Sequence, residues 1–139
     1  MLRELGDRSG MADALNSLGQ VARLQGNHAA ARTLYAESLA IRRELGHKMA
    51  MPGVLAELAG LAADQDQPER ALRLAGAALA LREAIGAPPA PAAQAELERQ
   101  LARARHTLGE AKSAAAWAAG EVMPLDEIIA FALGDEMSA

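Results

Sequence analysis

Three histidines, one serine between glycines and a cluster of carboxylates and arginines are the residues whose types could do chemistry. His28, His47 and His106 could ligate a metal or shuttle protons, but none has another histidine four residues away and no His-Glu-x-x-His run occurs. They read as exposed residues at helix ends. Ser9, in Gly6-Asp7-Arg8-Ser9-Gly10, is one residue out of step with a nucleophile elbow and suits a helix cap better. Glu96, Glu98, Arg99 and Arg103 are spaced for ion pairs three or four residues apart along a solvated helix face, and general acid–base work has no paired carboxylate here. No cysteine is present, which excludes thiol catalysis, disulfides and Cys-ligated zinc. No enzyme active site, metal site or cofactor motif is expected.

The elements that carry these residues follow from composition. Of 139 residues, 35 are alanine and 20 leucine, against three valines, four isoleucines and two threonines. Such a chain makes helices and lacks the β-branched residues of strands. Its net charge of −4 is wrong for a phosphate-binding footprint, so no direct nucleic-acid contact is expected. No apolar run is long enough to span a membrane and the start has no signal-peptide core, so a cytoplasmic setting is expected.

A forty-residue shift superimposes the chain on itself. Leu5-Gly6 falls on Leu45-Gly46, and Met11, Leu15, Leu18, Ala22, Gln25, Ala31, Leu34, Leu39 and Arg42 each fall on the same residue type. Thirteen of the 42 pairs from positions 5–46 are identical, the mark of a repeat array. Each unit reads as two antiparallel helices. Ser9 is expected to cap the first, which carries Leu15, Leu18 and Ala22 as packing between the paired helices. Gly26-Asn27 makes the turn, and Asn27 caps a second helix that ends at Gly46. Pro52 lies in the first turn of the third helix. Asp66-Gln67-Pro68 makes the next turn, and the fourth helix runs to Gly86. A third, degenerate unit starts at Pro91 and carries three inserted residues before Gly109. Its second helix runs from Glu110 to about Val122 and carries Trp117. The units are 9–46, 47–86 and 91–123 of a single domain. A short helix at 124–133 is expected to cover the end of the stack, followed by a polar tail. Tyr35 and Trp117 read as aromatics packed between hairpins. Met11, Met49, Met51 and Val54 read as core near the loops or as an adaptable patch for another subunit.

Leu15, Leu18-Gly19, Ala22, Gly26, Ala31, Tyr35 and Ser38-Leu39 together resemble a tetratricopeptide repeat. The second unit keeps Leu55, Leu58-Ala59, Ala62, Ala71 and Ala78-Leu79, with Asp66 for the turn glycine and Ala75 for the aromatic. The resemblance covers residues 5–123 and implies an all-α, right-handed solenoid of about three antiparallel hairpins with a short C-terminal capping helix, serving protein–protein interaction. The segment Ala116–Glu127 is further similar to the closing part of repeat regions in bacterial signal-transduction ATPases and MalT-like transcriptional regulators. No phosphate-binding Gly-Lys-Ser/Thr loop occurs, so ATPase activity does not carry over. Arg3-Glu4-Leu5-Gly6 repeats as Arg43-Glu44-Leu45-Gly46, so residues 1–6 are expected to finish a helix of a preceding unit, as in a piece of a larger bacterial regulator.

Stacked hairpins expose a concave surface along their first helices. By the resemblance, Asp13, Asn16, Gln20 and Arg23 face it from unit one, Gly53, Ala56, Gly60 and Ala63 from unit two, and Arg99 and Arg103 from unit three. Ala56 and Gly60 do not match the chaperone-tail clamp of the family. A floor of small residues between Asn/Gln and two arginines suits a protein or peptide segment with an apolar middle and an acidic end. A small inducer, or a second copy docking on the first hairpin to form a homodimer, are the alternative occupants.

Overall fold

The computed structural model describes residues 2–133, with side chains from residue 6 onward; the polar tail lies outside them. Seven helices follow one another: α1 (Leu2–Leu24), α2 (His28–Leu45), α3 (Met51–Asp64), α4 (Pro68–Ile85), α5 (Pro91–Leu108), α6 (Glu110–Glu121) and α7 (Leu125–Ala132). No strand occurs among the described residues; the all-α chain expected from the composition forms, as the solenoid that the resemblance implies.

Local chemistry sets most boundaries. The Asn27 side chain accepts from the Ala30 N–H at 3.3 Å and opens α2. Gly46 and Gly86, at φ 72° and 69°, end α2 and α4 in the left-handed conformation that costs glycine least. Pro52, Pro68 and Pro91 sit in the first turns of α3, α4 and α5, where a missing N–H breaks no bond. Asp66 takes over the role of Gly26 at φ 60°, a conformation that aspartate tolerates better than most residues.

Two expectations at the start of the chain are corrected. Ser9 does not cap a helix, and Gly6 does not end one: α1 runs without a break from Leu2 through both. No proline or left-handed glycine interrupts residues 2–12, and glycine inside a helix costs only about 1 kcal/mol.

α1 pairs with α2 and α3 with α4, and the two hairpins stack through α2 and α3. Tyr35 and Leu39 of α2, Leu55 and Leu58 of α3, and Leu72 and Leu74 of α4 fill one continuous core. Gly19 admits Tyr35, since a Cβ there would stand 2.7 Å from the ring. Ser38 is fully buried and donates to the Ala12 carbonyl at 2.9 Å, which satisfies its hydroxyl.

The third unit is built differently. α5 packs against α3 and α4 through Leu97, Leu101 and Ala104, but α6 packs mainly on α4 rather than back onto α5. Gly76 and Gly120 allow this. A Cβ on Gly120 would overlap the Arg73 carbonyl, and one on Gly76 would overlap the Trp117 carbonyl, so the two backbones meet directly. Ala114, Ala118 and Val122 are left exposed, whereas their counterparts Ala31, Tyr35 and Leu39 in unit one are fully buried between paired helices. α6 reaches α5 through the Ser113 hydroxyl, which donates to the Arg105 carbonyl at 3.3 Å, and through the Arg105 guanidinium 5.2 Å from the Trp117 ring centre.

α7 packs on α4. Ile128, Ile129 and Ala132 are buried. Phe131 lies under the guanidinium groups of Arg70 and Arg73 at 4.7 and 5.2 Å, a cation–π arrangement. Asp126 meets Arg43 of α2 at 3.5 Å.

One packing expectation fails. Leu18 is 54% exposed, and so are Met11, Val21 and Leu24, although Leu18 was expected to pack between paired helices. The side chains forty residues on, Met51, Leu58 and Leu61, are buried against the preceding hairpin. The face of α1 that bears Leu18 points away from α2, and no described element covers it.

Candidate functional groove

A groove of about 260 Å³ lies among α1, α3, α4 and α5. α1 supplies Arg23, and α3 supplies Gly53, Ala56 and Glu57. α4 adds Arg82, and α5 adds Ala93, Glu96, Leu97 and Gln100. A narrower apolar pocket adjoins it, with Ala75, Leu79, Pro89 and Trp117 in its walls; Ala56, Arg82, Ala93 and Leu97 border both. The floor stays open because Gly53 and Ala56 stand where unit one has Asp13 and Asn16.

Polar side chains around the groove are held in pairs. Arg23 Nε donates to Asp64 at 2.7 Å. Burial alone would lower the Arg23 pKa, but the Asp64 hydrogen bond and charge outweigh it and the net direction is upward. Glu57 accepts from Gln20 and from the Tyr35 hydroxyl, each at 3.0 Å. Burial, with the Glu57 charge and hydrogen bond behind it, pushes the Tyr35 phenol well above its ordinary value. Glu96 accepts from Arg99 Nε at 3.2 Å and from Gln100 at 2.9 Å, bonds that lower its pKa. A Cβ on Gly60 would overlap Gln100 Oε1 and stand 2.9 Å from the Arg23 guanidinium. Two long side chains therefore cross above Gly60.

Of the residues expected to face a partner, Arg23, Gly53 and Ala56 line the groove. Gln20 and Gly60 border it through Glu57 and Gln100. The others lie apart from its lining. Asp13 is ion-paired with Arg42 of α2, and Asn16 has its Oδ1 buried without a hydrogen-bond partner. Arg99 pairs with Glu96 along the exposed face of α5, and Arg103 meets Asp66 at 3.6 Å. Those two arginines are thus occupied by carboxylates of the chain itself. Of the ion pairs that the spacing of Glu96, Glu98, Arg99 and Arg103 predicts, Glu96–Arg99 forms, whereas Arg103 turns to Asp66 and Glu98 reaches Arg105 at 3.2 Å.

Sequence reasoning missed Arg82, Glu96 and Gln100. The repeat itself pairs Arg82 with Arg42 and Gly53 with Asp13, a usable signal for the first. The other two depend on where α5 settles after its insertion. A second, shallower recess of about 430 Å³ lies at the α5–α6 turn, lined by Arg105, His106, Glu110, Ser113 and Ala114. No cluster of three or more metal-ligating side chains occurs among the described residues. None of the described helices is long and apolar enough to cross a membrane.

Comparison with known proteins agrees with the first unit. Residues 11–45 match the tetratricopeptide repeat, a unit that generally mediates protein–protein interaction. No curated protein and no solved structure matches the chain.

Proposed function

We propose that the chain is a non-catalytic interaction module that seats a segment of a protein partner in the groove between α1, α3 and α5. The observation that carries this reading is the open groove itself, small-residue at its floor and polar along its rim. It is broad enough for backbone and side chains of a peptide, and it offers backbone-scale contact rather than the enclosed, convergent polar site of a small-molecule pocket. The identity of residues 11–45 as a tetratricopeptide repeat supports the same reading. A cytoplasmic setting within a larger bacterial transcriptional regulator belongs to this proposal too, and rests on the resemblance of residues 116–127.

The test is selection of binding peptides from a random-sequence display library on the purified chain. Ala93 is exposed at the groove rim, so Ala93→Trp fills the groove without entering the core. Selected peptides should bind this variant at least about tenfold more weakly, a difference of about 1.4 kcal/mol. Peptides that bind it as tightly as the parent would overturn the assignment of the groove.

A second reading, self-association, is favoured by one observation. Met11, Leu18, Val21 and Leu24 are large apolar side chains left exposed on α1. In an antiparallel pairing of two copies, Ala14 of one chain would lie opposite Leu18 of the other, a small residue against a large one in both directions. Sedimentation velocity over a concentration series separates the two readings, since only self-association makes the mass of the free chain concentration-dependent.

A further inference from the structure

The two intact hairpins differ in one ion pair, and the difference lies in the groove. In unit one, Arg42 near the end of α2 reaches across its hairpin to Asp13 on α1. Forty residues on, Arg82 occupies the same place near the end of α4, but the position of Asp13 is taken by Gly53. The geometry is retained without the carboxylate: Arg82 Nη2 stands 3.9 Å from where a Cβ on Gly53 would be. Arg82 makes no side-chain hydrogen bond or ion pair among the described residues, and it borders both the groove and the apolar pocket beside it.

A cation in the last turn of a helix is favoured by the helix dipole alone. That accounts equally for Arg42 and Arg82, so it does not explain why one is given a carboxylate and the other an opening. The acidic residues nearest Arg82 in the groove are already engaged. Glu57 is held by Gln20 and Tyr35, and Glu96 by Arg99 and Gln100.

We infer that Arg82 is the carboxylate anchor of the groove, and that the bound segment supplies an aspartate or glutamate side chain where unit one supplies Asp13. Guanidinium and carboxylate match in charge and in planar hydrogen-bond geometry. The space above Gly53 is where that carboxylate sits. Glu57 and Glu96 flank it and repel a run of acidic residues, so the fitting segment carries a single carboxylate among small apolar residues, the latter directed to the pocket lined by Ala75, Leu79 and Trp117. This inference rests on the groove reading above and replaces Arg99 and Arg103, which the chain pairs with itself, as the cationic end of the site.

The test uses the full chain and two capped synthetic peptides, Ac-Ala-Leu-Ala-Asp-Ala-Leu-Ala-NH2 and its twin with Asn for Asp. Binding is read from backbone amide shifts of the groove residues, and the Arg82 Nε–Hε resonance reports the contact itself wherever Arg82 is kept. The Asp peptide should shift that resonance to saturation, and the Asn peptide should bind at least about tenfold more weakly. Arg82→Gln should remove the preference for Asp, while Arg99→Gln with Arg103→Gln should leave it intact. Gly53→Asp supplies the carboxylate within the chain. It should raise the melting temperature by about 2–4 °C more with Arg82 present than in the Arg82→Gln background, since helix propensity and the dipole contribute in both, and weaken the Asp peptide at least about tenfold. Equal binding of the two peptides, no Arg82 shift at millimolar peptide, or a Gly53→Asp gain as large in the Arg82→Gln background as in the parent overturns the anchor. The groove reading fails separately: display-selected peptides blocked by Ala93→Trp but indifferent to Arg82→Gln would keep the groove and remove the anchor. A preference for Asp that needs Arg82 but ignores Ala93→Trp would keep the anchor and remove the groove.

Discussion

Tyr35 joins the core to the groove. Its ring fills the space that Gly19 leaves, fully buried, while its hydroxyl donates to Glu57 at 3.0 Å on the groove wall. Tyr35→Phe keeps the ring and loses a hydrogen bond to a charged group, so a cost of about 1–2 kcal/mol in urea unfolding is expected. The same residue makes a pH prediction. Its folded pKa lies above the ordinary tyrosine value, so in the unfolded chain the phenol ionises near pH 10 while in the folded chain it keeps its proton. The stabilisation is complete below about pH 10 and is lost as pH rises above it, by up to about 1.4 kcal/mol per pH unit. Urea unfolding across about pH 8 to 11 should therefore show an alkaline loss in the parent that is smaller in Tyr35→Phe; equal slopes would remove Tyr35 as its source. The chain has a single tyrosine, so phenolate absorbance reports this group alone.

Among the elements, α6 is the one whose position the repeat does not predict. A helix at its place in the series pairs with the helix before it, yet α6 leans on α4 at the Gly76–Gly120 crossing. Backbone groups, not flexible side-chain ends, occupy the space a methyl group would need at either glycine. Gly120→Ala and Gly76→Ala should each destabilise the fold by about 1–3 kcal/mol, as overpacking does where the neighbour cannot yield. Better helix propensity offsets only about 1 kcal/mol of that. Gly6→Ala, in α1 with nothing within 4 Å of its added Cβ, is the control and should be neutral or stabilising. If thermal melts put Gly120→Ala beside Gly6→Ala, the direct backbone contact is not what holds α6. Helix limits were readable because caps, prolines and left-handed glycines are local chemistry. Asn27, Gly46, Pro68 and Pro91 announce them without reference to the rest of the chain. Ser9 misled because a capping residue in a segment with no breaker is simply carried through the helix.

At the scale of the whole molecule, the array has two different ends. The α6–α7 end folds back over α4 and buries Ile128 and Ile129, whereas the α1 end presents Met11, Leu18, Val21 and Leu24. If two copies meet there, Leu18→Glu should give a monomer at every concentration while its helicity by circular dichroism stays at the parent level, because Leu18 is not part of the folded core. A parent that is itself monomeric throughout the series discards self-association. The groove lies across the first helices rather than on this face of α1, so Leu18→Glu should leave peptide binding unchanged.

Composition and period by themselves determined that this protein is a stack of helical hairpins, because helix propensity, capping and a forty-residue packing repeat are all written in residue types at fixed spacing. It was the family resemblance, not composition or period, that put Arg23, Gly53 and Ala56 among the groove-facing positions. What only the tertiary structure decided is which charges are already spent within the chain and which face outward. The Arg99–Glu96 pair follows from local spacing, but Arg103 has the same residue type as Arg82, and no local rule tells which of those two meets a carboxylate. That depends on how α5 and the Asp66 turn come together, and on whether a glycine or an aspartate lies across the hairpin from the arginine. The exposure of Leu18 was equally hidden, since its match to the buried Leu58 records a shared packing position, while burial requires a neighbouring helix to be there.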